Sequence, residues 1–293
     1  MTKNASRSVL PKGLLREAFE ASREKNYFAN KFLHMAMFGS AWRFALLGYA
    51  YLKIIDNAID EDEDVQRALA FFGAKRAFMR DVYAGRVVDG EFPVPDRFGY
   101  HLFCYDREND SYLRPFLDGM LDTMEFDLHR RNRILSAADL NKWAIDVGSA
   151  WLGYLGQLAA RGPRLPKSFL EPASLAYIWA DSIIDVEKDL RWGIISVSED
   201  DIKRFGLTLD PSDSGLDGWI NSQSEKVMGY FESALAETQR LKSRRMRVLA
   251  NLYLRRKRKQ LSRFVERRRM QTTVLTTESA HPQTAKGNNS PTA

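Results

Sequence analysis

The stretch Asp181-Ser-Ile-Ile-Asp185-Val-Glu-Lys-Asp189 ("DSIIDVEKD", 181–189) repeats a carboxylate every fourth residue beside Trp179, Ile183 and Ile184. On an α-helix that spacing puts three acids on one side. Like charges one turn apart repel by a few tenths of a kcal/mol per pair. Such a face is cheap in open water and otherwise calls for a positive partner. A second acidic set stands upstream in "YLKIIDNAIDEDED" (51–64), where Asp56 and Asp60 are also four apart, after the apolar run "FALLGYAYLKII". On a helix these two lie on one face, roughly 6 Å apart along the axis. Both sets end strongly apolar segments, where a helix leaves a core and a cavity can open. Glu61, Asp62, Glu63 and Asp64 read instead as solvated residues opening the next helix, whose N-terminal dipole favours negative charge.

Working outward, the chain reads as helix almost throughout. Apolar-periodic segments run about 14–35, 40–60, 64–84, 110–131, 137–161, 167–190, 215–240 and 242–268, separated by breaks such as Gly162-Pro163 and Asp210-Pro-Ser-Asp-Ser-Gly215. No convincing alternating strand appears, and "VVDGEFPVPDRFGY" (87–100) is the main irregular connection. The expectation is an all-α, single-domain fold. Residues 1–18 form an N-terminal extension, 19–270 the helical domain, and 271–293 a polar tail expected to be disordered.

At 293 residues, 44% apolar and 12% aromatic, the chain is long enough for a substantial core. The lone cysteine, Cys104, excludes an internal disulfide and every multi-cysteine metal site, and reads as a small hydrophobe. No apolar run approaches the roughly 20 residues that cross a bilayer, and the N-terminus lacks a secretory core, so a cytoplasmic protein is expected. The net charge of +6 is local. Between Lys242 and Arg269 stand thirteen Lys/Arg against Glu266, a balance of +12 that leaves −6 for the rest. Apolar residues recur through this basic stretch at Met246, Leu249, Leu252, Tyr253, Leu261 and Phe264, so one helix face is to be buried. The other is a solvated basic face or a contact for acidic lipid or a polyanionic substrate. No recognition motif accompanies the charge, and nucleic acid is not expected as a partner.

Two regular carboxylate faces converging on one cavity would repel strongly without cations. Hard divalent ions, above all Mg²⁺, relieve that repulsion and bind through a few carboxylates plus substrate phosphates. A diphosphate held between two helices is the natural guest.

In order and spacing the chain resembles the squalene/phytoene synthase family of all-helical prenyl-diphosphate enzymes. "YAYLKIIDNAID" (49–60) is similar to that family's tyrosine-containing helix with a basic residue and an aspartate pair. "DSIIDVEKDLRWG" (181–193) is similar to its Asn-Ile-Leu-Arg-Asp-Val-x-x-Asp segment. Looser likenesses lie in "NYFANKFL" (26–33), "FLDGMLDTMEFDLHRR" (116–131), "LNKWAIDVGSAWLGYLGQL" (140–158) and "SVSEDDIKRFGL" (196–207). The resemblance implies a single helical bundle around a deep apolar cavity with the aspartate helices at its mouth. It implies Mg²⁺ on Asp56, Asp60, Asp181, Asp185 and Asp189, with Lys53, Tyr49 and Arg43 contacting a prenyl diphosphate. Aromatic residues Phe28, Phe32, Phe44, Trp143, Trp151, Tyr154 and Trp179 would line the cavity or pack the core.

The chain departs from the family pattern in places. Lys53 stands for the usual arginine, Ile178 for a glutamine, Asp181 for the motif's asparagine, Ile184 for its arginine, and "IISV" follows Gly193. The implied activity is ionisation of an allylic diphosphate followed by condensation with a second prenyl diphosphate. Prenylation of another acceptor, cyclisation, and a non-catalytic helical protein that binds membrane or an acidic partner stay open. No Gly-rich dinucleotide fingerprint supports a reductive step.

Overall fold

A computed structural model describes residues 10–21, 38–160 and 165–279. Among them lie ten α-helices and no strand. In chain order they are α1 Leu14–Ala21, α2 Trp42–Asp60, α3 Val65–Tyr83, α4 Asp96–Glu108, α5 Arg114–His129, α6 Ala137–Ala160, α7 Lys167–Arg191, α8 Glu199–Phe205, α9 Gly215–Thr238 and α10 Arg244–Ser279.

Local chemistry sets several of these ends. Asp64 caps α3 by accepting from the backbone N–H groups of Gln66 and Arg67 at 2.9 and 3.2 Å. Ser198 caps α8 by accepting from Asp201 N, while its hydroxyl donates to the Asp201 carboxylate. Helix α7 stops where Gly193 takes φ +73°, a left-handed turn that needs glycine.

Two packing centres organise the bundle. Helix α2, mostly buried, packs on α1 and α4 and touches α3, α5 and α6. Helix α7 packs along α6 and α9, and α10 closes over it. The α6–α7 approach is close enough that a Cβ on Gly148 would fall 2.6 Å from the Ser174 backbone. Helices α2 and α7 are not packed side by side. Each leans on α6, so a gap separates the two acid-bearing helices.

The fold departs from expectation at several points. The irregular connection at 87–100 already becomes helical at Asp96, and α4 carries Phe98, Leu102 and Phe103 into the core. The signal was hidden because Pro93 and Pro95 directly precede the apolar periodicity. The short helix α8 was also missed. The N-terminal extension contributes to the core through Leu14 and Ala18 of α1. The tail expected from residue 271 is helical as far as Ser279. Leu252, expected on the buried face of α10, is exposed. The stretch 26–33, with Phe28 and Phe32, lies outside the described residues.

Candidate active site

Electrostatic pairings fix how the two acid helices face each other. Lys53 of α2 feels Asp185 of α7, Asp60 of α2 feels Asp189 of α7, and Tyr49 feels Tyr177. The pairings ascend together along both helices, so the two run in the same direction. Three layers result.

The first layer is aromatic. Tyr177 of α7 stacks on Tyr253 of α10 with ring centroids 4.8 Å apart and planes 7° from parallel. The Trp151 indole N–H donates to the Tyr253 hydroxyl at 2.9 Å, and Tyr49 packs against Trp151 at 6.0 Å. Beyond this layer, away from the carboxylates, lies a wholly apolar pocket of about 40 Å³. It is lined by Leu152, Leu155, Phe169, Met246, Leu249 and Tyr253 among others.

The second layer is cationic. Lys53 pairs with Asp56 at 2.7 Å. Burial alone would lower its pKa, but Asp56, Asp60 and Asp185 outweigh that and raise it. Across the gap, Lys257 of α10 donates to the Asp181 carboxylate and lies 5.0 Å over the Tyr177 ring.

The third layer is anionic. Burial first, then the neighbouring Asp56 and Asp127, push Asp60 up to about 8. Burial and Asp185 push Asp189 up to about 7. Asp127 of α5, also raised, chiefly by burial, sits within the field of Asp56, Asp60 and Asp189. Carboxylates from three helices thus hinder one another's ionisation, as expected where like charges converge in a poorly solvated place. All the offered ligands are oxygens. Among the described residues no three acid, histidine or cysteine side chains form a ready-made chelate.

Two arginines brace this end. Arg130 is almost fully buried, donates to Asp127 and to Ile195 O, and lies 4.2 Å over the Trp143 ring. Arg131 donates to Ile59 O and Asp62 O, which holds the helix end carrying Asp60 against α5. The indole N–H of Trp143, buried and without a completed hydrogen bond, also favours the Asp127 carboxylate.

The structure brings Asp56, Asp60, Asp185, Asp189, Lys53 and Tyr49 to one region, with Asp185 the exposed member. Asp181 is there too, but its carboxylate is engaged by Lys257. Arg43 is exposed, ten residues or about 15 Å of helical rise before Lys53 and turned around the axis, so it is not brought to the carboxylates. Among the expected cavity aromatics, Phe44 stacks on Tyr105 at 3.5 Å and the Tyr154 hydroxyl donates to Phe44 O at 2.8 Å. The Trp179 indole donates to Asn141 at 2.9 Å. These three are core. Sequence reasoning missed Asp127, Arg130, Arg131 and Lys257. Asp127 and Arg130 are three apart in a charged segment and look like an ordinary helical ion pair. Lys257 is one of thirteen basic residues in its stretch.

The all-helical bundle matches known folds. The structure is similar to squalene synthase HpnC from Alicyclobacillus acidocaldarius, with TM-score 0.63 and 17% identity over 88% of this chain and 96% of that one. It is equally similar to a dehydrosqualene synthase solved in complex with ligand, at TM-score 0.63 and 17% identity, covering 85% and 86%. No curated protein matches by sequence. The squalene/phytoene synthase family model matches residues 19–276, and the chain belongs to that family. Its members are prenyl-transferring enzymes of isoprenoid biosynthesis.

Proposed function

We propose that the protein ionises an allylic prenyl diphosphate with the help of Mg²⁺ and transfers the prenyl cation, with condensation onto a second prenyl diphosphate as the leading outcome. The observation that carries this reading is the layered register of α2, α7 and α10. A small apolar pocket between α6, α7 and α10, which would have to widen to take a prenyl chain, lies behind aromatic rings at one end, and mutually repelling carboxylates gather at the other. A prenyl diphosphate has the same polarity along its length.

The donor set fits Mg²⁺, because hard oxygen ligands crowded enough to resist ionisation gain most from a compact dication. Asp56 and Asp60 from one side, with Asp185 and Asp189 from the other, would hold it. When bound, the metal supplies Lewis acidity to the departing diphosphate oxygens. Lys53 adds an ammonium on the leaving-group side. Tyr49, Trp151, Tyr177 and Tyr253 separate the acids from the apolar pocket and keep water from a cationic intermediate. Arg130 and Arg131 keep the acid-bearing helix ends from splaying apart. Incubation with ten-, fifteen- and twenty-carbon allylic diphosphates, with release of inorganic diphosphate and extracted products as readouts, tests this reading. Mg²⁺-dependent release is expected; no release with any of the three contradicts it.

We also propose peripheral contact with an acidic lipid surface through α10. No helix of the described residues is long and apolar enough to cross a membrane. The outward face of α10 instead aligns exposed Val248, Leu252 and Met270 along one line. Between Leu252 and Met270 the same face carries exposed Arg255, Arg256, Lys259 and Arg263, a basic stretch suited to an anionic lipid surface.

A further inference from the structure

We propose that Lys257 serves as a built-in counter-ion that withdraws Asp181 from the metal-binding set, so that cations are held by Asp56 and Asp60 opposite Asp185 and Asp189 alone. This rests on the metal-dependent reading above and narrows it. Asp181 stands where the resembling motif has a neutral asparagine, so the chain carries one extra negative charge at this place. Helix α10 answers that charge. Of the thirteen basic residues between 242 and 269, Lys257 alone is buried, at 7% exposure.

Its ammonium is committed on several sides. It donates to Asp181 Oδ1, lies 3.4 Å from Gln260 Oε1, and covers the Tyr177 ring. The pair sums to zero charge, as an asparagine would. A dication approaching Asp181 would meet an ammonium that cannot swing away into water, because the side chain is enclosed. The cost of such an approach is Coulombic and falls less on Asp185, which is exposed and, among the described residues, has no enclosed ammonium bonded to it. Lys53 of the opposite helix lies in the field of both acids. The same pair also holds α10 in register on α7. Arg268 fastens the two helices again further along through Glu187, and reaches Asp217 of α9 at 2.7 Å. Lys257 is therefore a positioning residue for the metal site.

The test is Mn²⁺ binding to the full chain, followed by the loss of the free-ion electron paramagnetic resonance signal, with melting temperature measured in parallel without metal. D60N and D185N are expected to weaken Mn²⁺ binding by about tenfold or more, whereas the charge-balanced D181N/K257Q changes it by less than about twofold. K257Q, by releasing Asp181, is expected to bind Mn²⁺ more tightly than the wild type and to melt lower without metal. The double variant D181N/K257Q restores both values, which keeps the test intact should K257Q fail to fold. Equal weakening in D181N/K257Q and D185N overturns the inference while leaving the metal-dependent reading standing. Unchanged binding in D60N, D185N and D181N/K257Q alike overturns that reading and this inference with it.

Discussion

The two acidic faces have the same four-residue spacing but different surroundings. On α2, Asp56 is paired with Lys53 one turn back on its own helix, and Asp60 is left against carboxylates from two other helices. On α7 the first acid is neutralised by a lysine from another helix, the middle one is exposed, and the last is pressed by its neighbours. Spacing alone makes the five acids look equivalent. The positive partners make them unequal, and the strain concentrates at Asp60 and Asp189, the far end of the gap.

The largest expected effect comes from removing one acid from each face. Asp60→Asn and Asp185→Asn should each lower diphosphate release by about 100-fold or more while the fold is retained, as judged by circular dichroism. Lys53→Gln should cost about tenfold in affinity for inorganic diphosphate in the presence of Mg²⁺, measured by calorimetry, because a charge-assisted contact is lost. Lys53→Arg should recover most of that loss.

The next effect is on stability and separates the bracing from the chemistry. Arg131→Ala frees two carbonyls at the end of α2 and should destabilise the protein by about 1–3 kcal/mol in urea unfolding. It should lower activity less than Asp60→Asn does.

A smaller effect tests the strain itself. Asp60 and Asp189 hold their protons more tightly folded, at about 8 and about 7, than unfolded, near 4. The folded state then binds more protons than the unfolded chain across that window. Stability from this source is full below about pH 4 and is lost as pH rises through 7 to 8. Without metal the melting temperature should fall over that rise. Mg²⁺ should raise it more at pH 8 than at pH 6, and Asp60→Asn should flatten the dependence. The smallest expected effect on turnover in solution is that of Leu252→Asp on the outer face of α10, which should nonetheless weaken sedimentation with anionic vesicles.

The sequence made the helical class and the acid pairs readable because period and spacing are local properties. Asp56 with Asp60, and Asp185 with Asp189, needed only a helix to share a face. What escaped was set by contacts distant in the chain. Asp127 gains meaning only when α5 lies beside α2 and α7, and Lys257 only when α10 is laid parallel on α7. Arg43 was misplaced for the opposite reason. It is near Lys53 in sequence, yet the helical rise carries it to the other end of α2. Helix α4 was hidden because its apolar periodicity directly follows a proline-rich connection.

The opposition of the two faces is tested most directly by a double-mutant cycle between Asp60→Asn and Asp185→Asn, read as Mg²⁺-dependent cleavage of a fifteen-carbon allylic diphosphate. If both carboxylates act through one metal-held diphosphate, the double variant should be scarcely worse than either single one. Effects that multiply, or cleavage that persists when a chelator removes the metal, would contradict the account.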